Sequence, residues 1–142
     1  MDKKQVSKKE RVTRILFSVL AIVLVACVVL QIFIAGLAIF VNPENWINHR
    51  IFIHLFELIP VLMLILSFIG SLPRWAIAQS AVVLGLIFLM YFTANATALW
   101  PWVAAVHPVI AMVLFWSSIQ LAKRSFILVT SSEDNNKELK VG

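Results

Sequence analysis

Three histidines, one arginine and one glutamate carry whatever side-chain chemistry the apolar parts of this chain can do. Four of them sit together. His49, Arg50, His54 and Glu57 fall within residues 42–60, N-P-E-N-W-I-N-H-R-I-F-I-H-L-F-E-L-I-P. At about 100° per residue on a helix they share one arc of about 140°, while Ile51, Phe52, Leu55, Ile59 and Leu62 fill the opposite arc. A helix of this kind keeps its ionisable groups inside a bundle and its aliphatic groups against lipid. Ionisable groups at such depth are costly, which makes them a functional-site hypothesis by default. Glu57 is expected to be buried, with His54, three residues away on the same face, as its partner.

The fifth group enters through a repeated spacing. Pro43 precedes His49 by six residues and Pro101 precedes His107 by six. If each proline opens its helix, where a missing N–H costs nothing, both imidazoles lie about 9 Å down their helices. Two neutral imidazoles at one level can hold a porphyrin iron axially, as in b-type cytochromes. The expected site is therefore haem b with His49 and His107 as the iron ligands, and Arg50 pairing with a propionate. Ala111 leaves room for the macrocycle, and Phe52, Phe56, Phe92, Phe115 and Trp116 are expected as bulky walls. His54, about 7.5 Å deeper than His49, is second choice as a ligand. The alternative is that the histidines are interfacial polar groups satisfied by water and carbonyls. Zinc is disfavoured, because the helical His-x-x-x-His spacing and cysteine ligands are both missing.

The elements that must position these groups are membrane spans. The 142 residues are 61% hydrophobic and only 13% charged, too few charges to coat a soluble domain. Four apolar runs, at about residues 15–41, 51–70, 75–96 and 103–122, are each long enough to cross a hydrocarbon core of about 30 Å. The first is far longer than the core of a cleavable signal peptide. The expected fold is an all-α integral membrane four-helix bundle, up-down-up-down, with a basic tail at 1–14, a transmembrane domain at 15–124 and a partly disordered tail at 125–142.

The net charge of +5 is topology information. Basic residues cluster before the first span (Lys3, Lys4, Lys8, Lys9, Arg11, Arg14), in the second loop (Arg74) and after the last span (Lys123, Arg124, Lys137, Lys140). Only Arg50 falls on the other side, so both termini are expected in the cytoplasm and the protein in the plasma membrane. The bilayer is then the partner of the basic residues, and no nucleic-acid role is expected. Cys27, alone and mid-span, is expected to be an unreactive packing residue. Gln31 is the polar side chain of the first span, read as an interhelical hydrogen bond; Gln79 heads a face of the third. Trp46, Trp100 and Trp102 mark the membrane–water boundary, Gly85 is expected to admit a close neighbour, and Pro60 and Pro108 should bend their helices.

Larger patterns carry a resemblance. Q-x-F-x-A-G-L at residues 31–37, H-R at His49 and Arg50, L-P-R at residues 72–74 and H-P at His107 and Pro108 resemble an uncharacterised family of small bacterial four-span proteins. More distantly, H-R heading span two and a histidine heading span four are similar to one half of haem A synthase. Each half of that enzyme is a four-helix bundle with a haem-ligand histidine pair on its second and fourth helices, which implies His49 and His107 here. That family typically has a glutamate three residues before its first histidine; here the position is Trp46. The expected function is a small b-type haem-binding membrane protein in electron transfer or haem handling, with a membrane redox partner. The alternatives are a non-catalytic subunit of a larger membrane complex and a small proton-linked transporter using Glu57 and His54.

Overall fold

The structure is a computed structural model that describes residues 7–96 and 100–141. It contains six helices: α1 (Lys8–Phe40), α2 (Asn45–Phe56), α3 (Ile59–Ile69), α4 (Arg74–Asn95), α5 (Pro101–Ala104) and α6 (His107–Val141). They make four segments long and apolar enough to cross a membrane: Lys8–Phe40, Asn45–Ile69, Arg74–Asn95 and Pro101–Ser131.

Local chemistry explains the ends and breaks. Ser7 caps α1 through a reciprocal pair, its hydroxyl accepting from the Glu10 N–H at 3.2 Å and its own N–H donating to the Glu10 carboxylate at 2.9 Å. This capping box starts the helix at Lys8, two turns before the apolar run begins. Pro43 lies in the turn before α2 rather than at its first position. The Asn42 side chain accepts from the Glu44 N–H at 2.9 Å, Glu44 becomes the N-cap, and α2 starts at Asn45. Pro101 does open α5.

Both interior prolines interrupt their spans. Pro60 has no N–H to give the Phe56 carbonyl, and the chain forms a turn at Glu57 and Leu58 between α2 and α3. Pro108 does the same to Ala104, with the turn at Ala105 and Val106. The helical bonds resume on either side, Leu62 N–H to Leu58 at 3.0 Å and Ile110 N–H to Val106 at 3.0 Å. At the far end, α6 runs on as helix to Val141, past residue 124 and through the stretch expected to be partly disordered.

Cross-span contacts fix the arrangement. α1 meets α2 through Gln31 and His49, and meets α6 through Ser18 and Ser125. α4 meets α6 through Gln79 and Ser117, and again through Thr93 and His107. Early residues of one span thus touch late residues of the next, so successive spans are antiparallel. One end of the bundle, called basal below, holds Ser18, Gly70, Gln79 and Ser125; the other, distal, holds Trp46, His49 and His107.

The basal half is packed closely with small residues. Ala21, Ser67, Ala76, Ser80, Ser118 and Ser125 are all buried there, around Phe17, Leu24, Met63 and Leu121. In lipid there is no hydrophobic gain from bringing two apolar helices together, so close backbone approach and shared hydrogen bonds hold them. Gly70 is the tightest point: a Cβ there would run into the Thr13 side chain. Gly85 was expected to serve this purpose and does not, since a Cβ there meets nothing within 4 Å. The bundle's exterior is apolar, with Phe33, Phe88 and Met112 exposed, as a lipid-facing surface requires.

Gly70→Ala should therefore destabilise the bundle by about 1–3 kcal/mol through overpacking, while Gly85→Ala should change stability little. Unfolding of the two variants in a mixed detergent titration measures both, and equal effects would contradict the packing described here.

Candidate functional site

His49 is held by a clasp between α1 and α2. The Gln31 side-chain amide donates to the His49 carbonyl at 2.9 Å, and His49 Nδ1 meets the Gln31 carbonyl at 3.1 Å. A carbonyl only accepts, so this contact assigns the imidazole proton to Nδ1 and leaves the Nε2 lone pair uncommitted. The interhelical role read for Gln31 is the one it takes. Trp46 packs edge-on against the ring, centroids 5.5 Å apart at 83°.

His107 is held in the same way by α4. Its Nδ1 lies 3.0 Å from the Thr93 hydroxyl, which itself donates to the Leu89 carbonyl at 3.0 Å or the Met90 carbonyl at 3.1 Å. With its proton on one of those carbonyls the hydroxyl accepts from the imidazole, the arrangement that gives His107 the same Nδ1–H as His49. Each histidine is fixed by the span that precedes its own, Gln31 for one and Thr93 for the other. This is the regularity behind the matched spacing, although the cap at Pro43 differs from that at Pro101.

Both rings line one cavity of about 790 Å³ in the distal half. The walls are mostly apolar: Val28, Ile32, Ile53, Phe56, Ile87 and Leu114. Space comes from Ala35, Gly36 and Ala111, small residues where larger ones would fill the gap. Arg50 stands at the edge, exposed and with no partner among the described residues. The Gln31 side-chain oxygen is buried on the same wall without a donor. Of the expected aromatic walls only Phe56 lines the cavity; Phe92 and Trp116 are more than half exposed on the outside, and Phe52 and Phe115 pack into the core.

A second cluster adjoins the first. The Tyr91 hydroxyl donates to one oxygen of Glu57; the other oxygen lies 3.2 Å from His54 Nδ1, and Tyr91 Oη lies 3.1 Å from the same nitrogen. The His54 and Tyr91 rings stack at 5.9 Å. Glu57 and His54 are paired as expected, but neither is buried: their side chains are 30% and 62% exposed. Glu57 sits in the turn that precedes Pro60. Gln31 and Gln79 are half-buried rather than fully buried. Gln79 belongs to no site at all. It sits at the basal end, donating to the Ser117 carbonyl at 3.3 Å and accepting from Arg124, whose guanidinium lies over Trp75.

Tyr91 and Thr93 are partners of the histidines that sequence reasoning did not find. Tyr91 is the one tyrosine of the chain, a signal that was there to be used.

Comparison with known proteins adds one finding. Residues 31–98 match the model of a family of unknown function, DUF6220. That stretch contains His49, Arg50, His54, Glu57, Tyr91 and Thr93, and stops short of His107. No curated protein and no solved structure matches the chain, so the resemblance to one half of haem A synthase has no support from these comparisons. Among the described residues no three His, Cys, Asp or Glu side chains gather as a metal site.

The clasp makes a measurable demand. Gln31→Leu should loosen α1 from α2 by about 0.6–1.7 kcal/mol, the range for one membrane hydrogen bond, because the backbone carbonyl that accepts from His49 remains. Detergent unfolding against the wild-type protein checks this; no loss would mean that the Gln31 amide adds nothing to the hold.

Proposed function

We propose that the protein is a small b-type haem-binding membrane protein in which His49 and His107 would hold the iron, with a role in electron transfer or haem handling. The observation that carries the reading is the pair of imidazoles on one apolar cavity, each with Nδ1–H tied to a protein acceptor and Nε2 left as a lone pair. Metal-ligating histidines typically have their second ring nitrogen bonded in this way, which orients the ring and raises its basicity. Two protein ligands suffice for haem, because the macrocycle supplies the other four; a bare metal ion would need more than this site offers.

The remaining residues fit the same reading. A volume of about 790 Å³ is within the range of ligand and cofactor sites. Its mostly apolar walls suit a macrocycle, and Arg50 at the edge would pair with a carboxylate substituent. Bound haem supplies a one-electron couple. The chain's own contribution is to hold the two rings, exclude water with Phe56, Ile87 and Leu114, and balance negative charge with Arg50.

Orientation follows from charge. Eleven of the twelve Lys and Arg residues lie in the termini and second loop, against Arg50 on the other side. Both termini are therefore proposed to be cytoplasmic and the protein to reside in the plasma membrane, with the haem site in the outer half. Cysteine substitutions at Lys9 and Asn48 should label from opposite sides, Lys9 only after the membrane is permeabilised; labelling of Lys9 in intact cells would reverse the assignment.

Protein purified after expression with haem supplied should be red with a low-spin Soret band. His49→Ala and His107→Ala should each abolish the low-spin spectrum, and His54→Ala should retain it. Thr93→Val, which removes only the orienting bond, should weaken haem retention by about 10–100-fold. Colourless protein in every case would favour a structural subunit of a membrane complex. Haem-free protein showing pH-dependent transport lost in Glu57→Gln would favour the proton-linked transporter, for which the Tyr91–Glu57–His54 cluster is the supporting observation.

A further inference from the structure

The cluster of His54, Glu57 and Tyr91 is at the wrong depth to be a surface ornament. Glu57 is the central residue of the 25-residue span Asn45–Ile69, which would set its carboxyl near mid-depth in a bilayer. His54 lies one helical turn toward the distal end, about 4.5 Å away along the axis. Polar groups at mid-depth ordinarily face the bundle interior or a water-filled cavity. Here His54 is 62% exposed and Glu57 30% exposed. Glu57 does not line the cavity, while His54 and Tyr91 do. The cluster is therefore a partition, with the cavity on one side and the bilayer flank on the other.

The flank is open because of the bend. α3 packs along α4, and α2, turned away at Glu57 and Leu58, has no extensive packing against α4. The hydrogen bonds of Tyr91 to His54 and Glu57 are the bridge across that gap.

Its chemistry is specific. Tyr91 donates to Glu57, and the other carboxylate oxygen accepts from His54 Nδ1–H. His54 is thereby held with Nε2 as an acceptor, and that nitrogen makes no hydrogen bond among the described residues. Beside it lies a flat stacked pair, His54 on Tyr91 at 29° between planes. Leu58, one turn along the face of His54, and Phe88, one turn from Tyr91, are 61% and 67% exposed. A matching ligand must be soluble in the bilayer, reach mid-depth, carry an O–H donor on a flat ring and have an apolar tail.

We infer that His54, Glu57 and Tyr91 form a lateral binding site for the ring of a lipid-soluble hydroquinone. The ring hydroxyl donates to His54 Nε2 and the ring lies against the His54–Tyr91 stack. Should the hydroxyl proton move to Nε2, the Nδ1 proton passes to Glu57 and the imidazole returns to neutral, so the negative charge of the carboxylate is exchanged for one on the hydroquinone oxygen and no further charge is created. This site goes beyond the haem reading: His54 and Tyr91 share the cavity wall, but the ligand would approach from the exposed flank at His54.

The test uses haem-free full-length protein in lipid nanodiscs and a radiolabelled decyl-tailed benzohydroquinone under anaerobic conditions. Binding should be saturable and resist competition by decylbenzene, which has the same tail and no hydroxyl. His54→Ala should weaken it at least tenfold without unfolding the exposed site. Tyr91→Phe, which keeps the aromatic face and frees Glu57, should weaken it less. Non-saturable partitioning that decylbenzene displaces equally would overturn the inference. So would unchanged binding in His54→Ala, or a stable dimer that shields His54 and binds no probe. Because no haem is present, failure here leaves the haem reading standing, and colourless protein leaves this site standing.

Discussion

A neutral imidazole has one donor and one acceptor, and in hydrocarbon there is no water to satisfy either. Where the donor goes therefore decides what the ring can do. In this protein the Nδ1 donors go to the Gln31 carbonyl, the Thr93 hydroxyl and the Glu57 carboxylate, one partner for each of the three histidines. Two of those partners lie on neighbouring helices, so the tautomer of the ring and the packing of the bundle are the same constraint seen twice. Three Nε2 acceptors result. Two line the distal cavity and the third stands at its edge, exposed on the flank of α2.

The unequal ends of the bundle follow from how each is held. Small side chains let the spans approach at the basal end, with Thr13 against Gly70 and Ser18 near Ser125 at 3.4 Å. The turns before Pro60 and Pro108 then move α2 and α5 off the axes of α3 and α6. What opens between them is lined by Ala35, Gly36 and Ala111, and held apart by polar contacts instead of large side chains. A cavity in a bundle of four thin helices needs both features: a tight base and a deliberate break.

Hydropathy and charge carried the coarse fold, and the reason is that they report the solvent. Four apolar runs and two interior prolines were enough to place four spans and two bends, because lipid leaves the backbone few other options. Helix ends were less legible. The Ser7–Glu10 capping box was in the sequence, yet it lay inside a stretch dominated by lysines and was read as a tail. Burial was not legible at all. Phe56 and Phe92 are the same residue type, and only the packing decides that one faces the cavity and the other faces lipid. The same limit hid the exposure of Glu57 and the open space at Gly85. Tyr91 and Thr93 were hidden for another reason: they act from the third span, on histidines 37 and 14 residues away, and no local pattern links them.

The claim on which the account rests is the protonation of the two cavity histidines. Nitrogen-15 NMR of haem-free protein labelled at histidine, in nanodiscs at neutral pH, reports the state of each ring nitrogen directly. The account predicts a protonated, pyrrole-type Nδ1 and an unprotonated, pyridine-type Nε2 for His49 and His107, with those two Nε2 signals lost from their free positions when haem is added. A protonated Nε2 on either residue, or haem addition that leaves both signals in place, would contradict it.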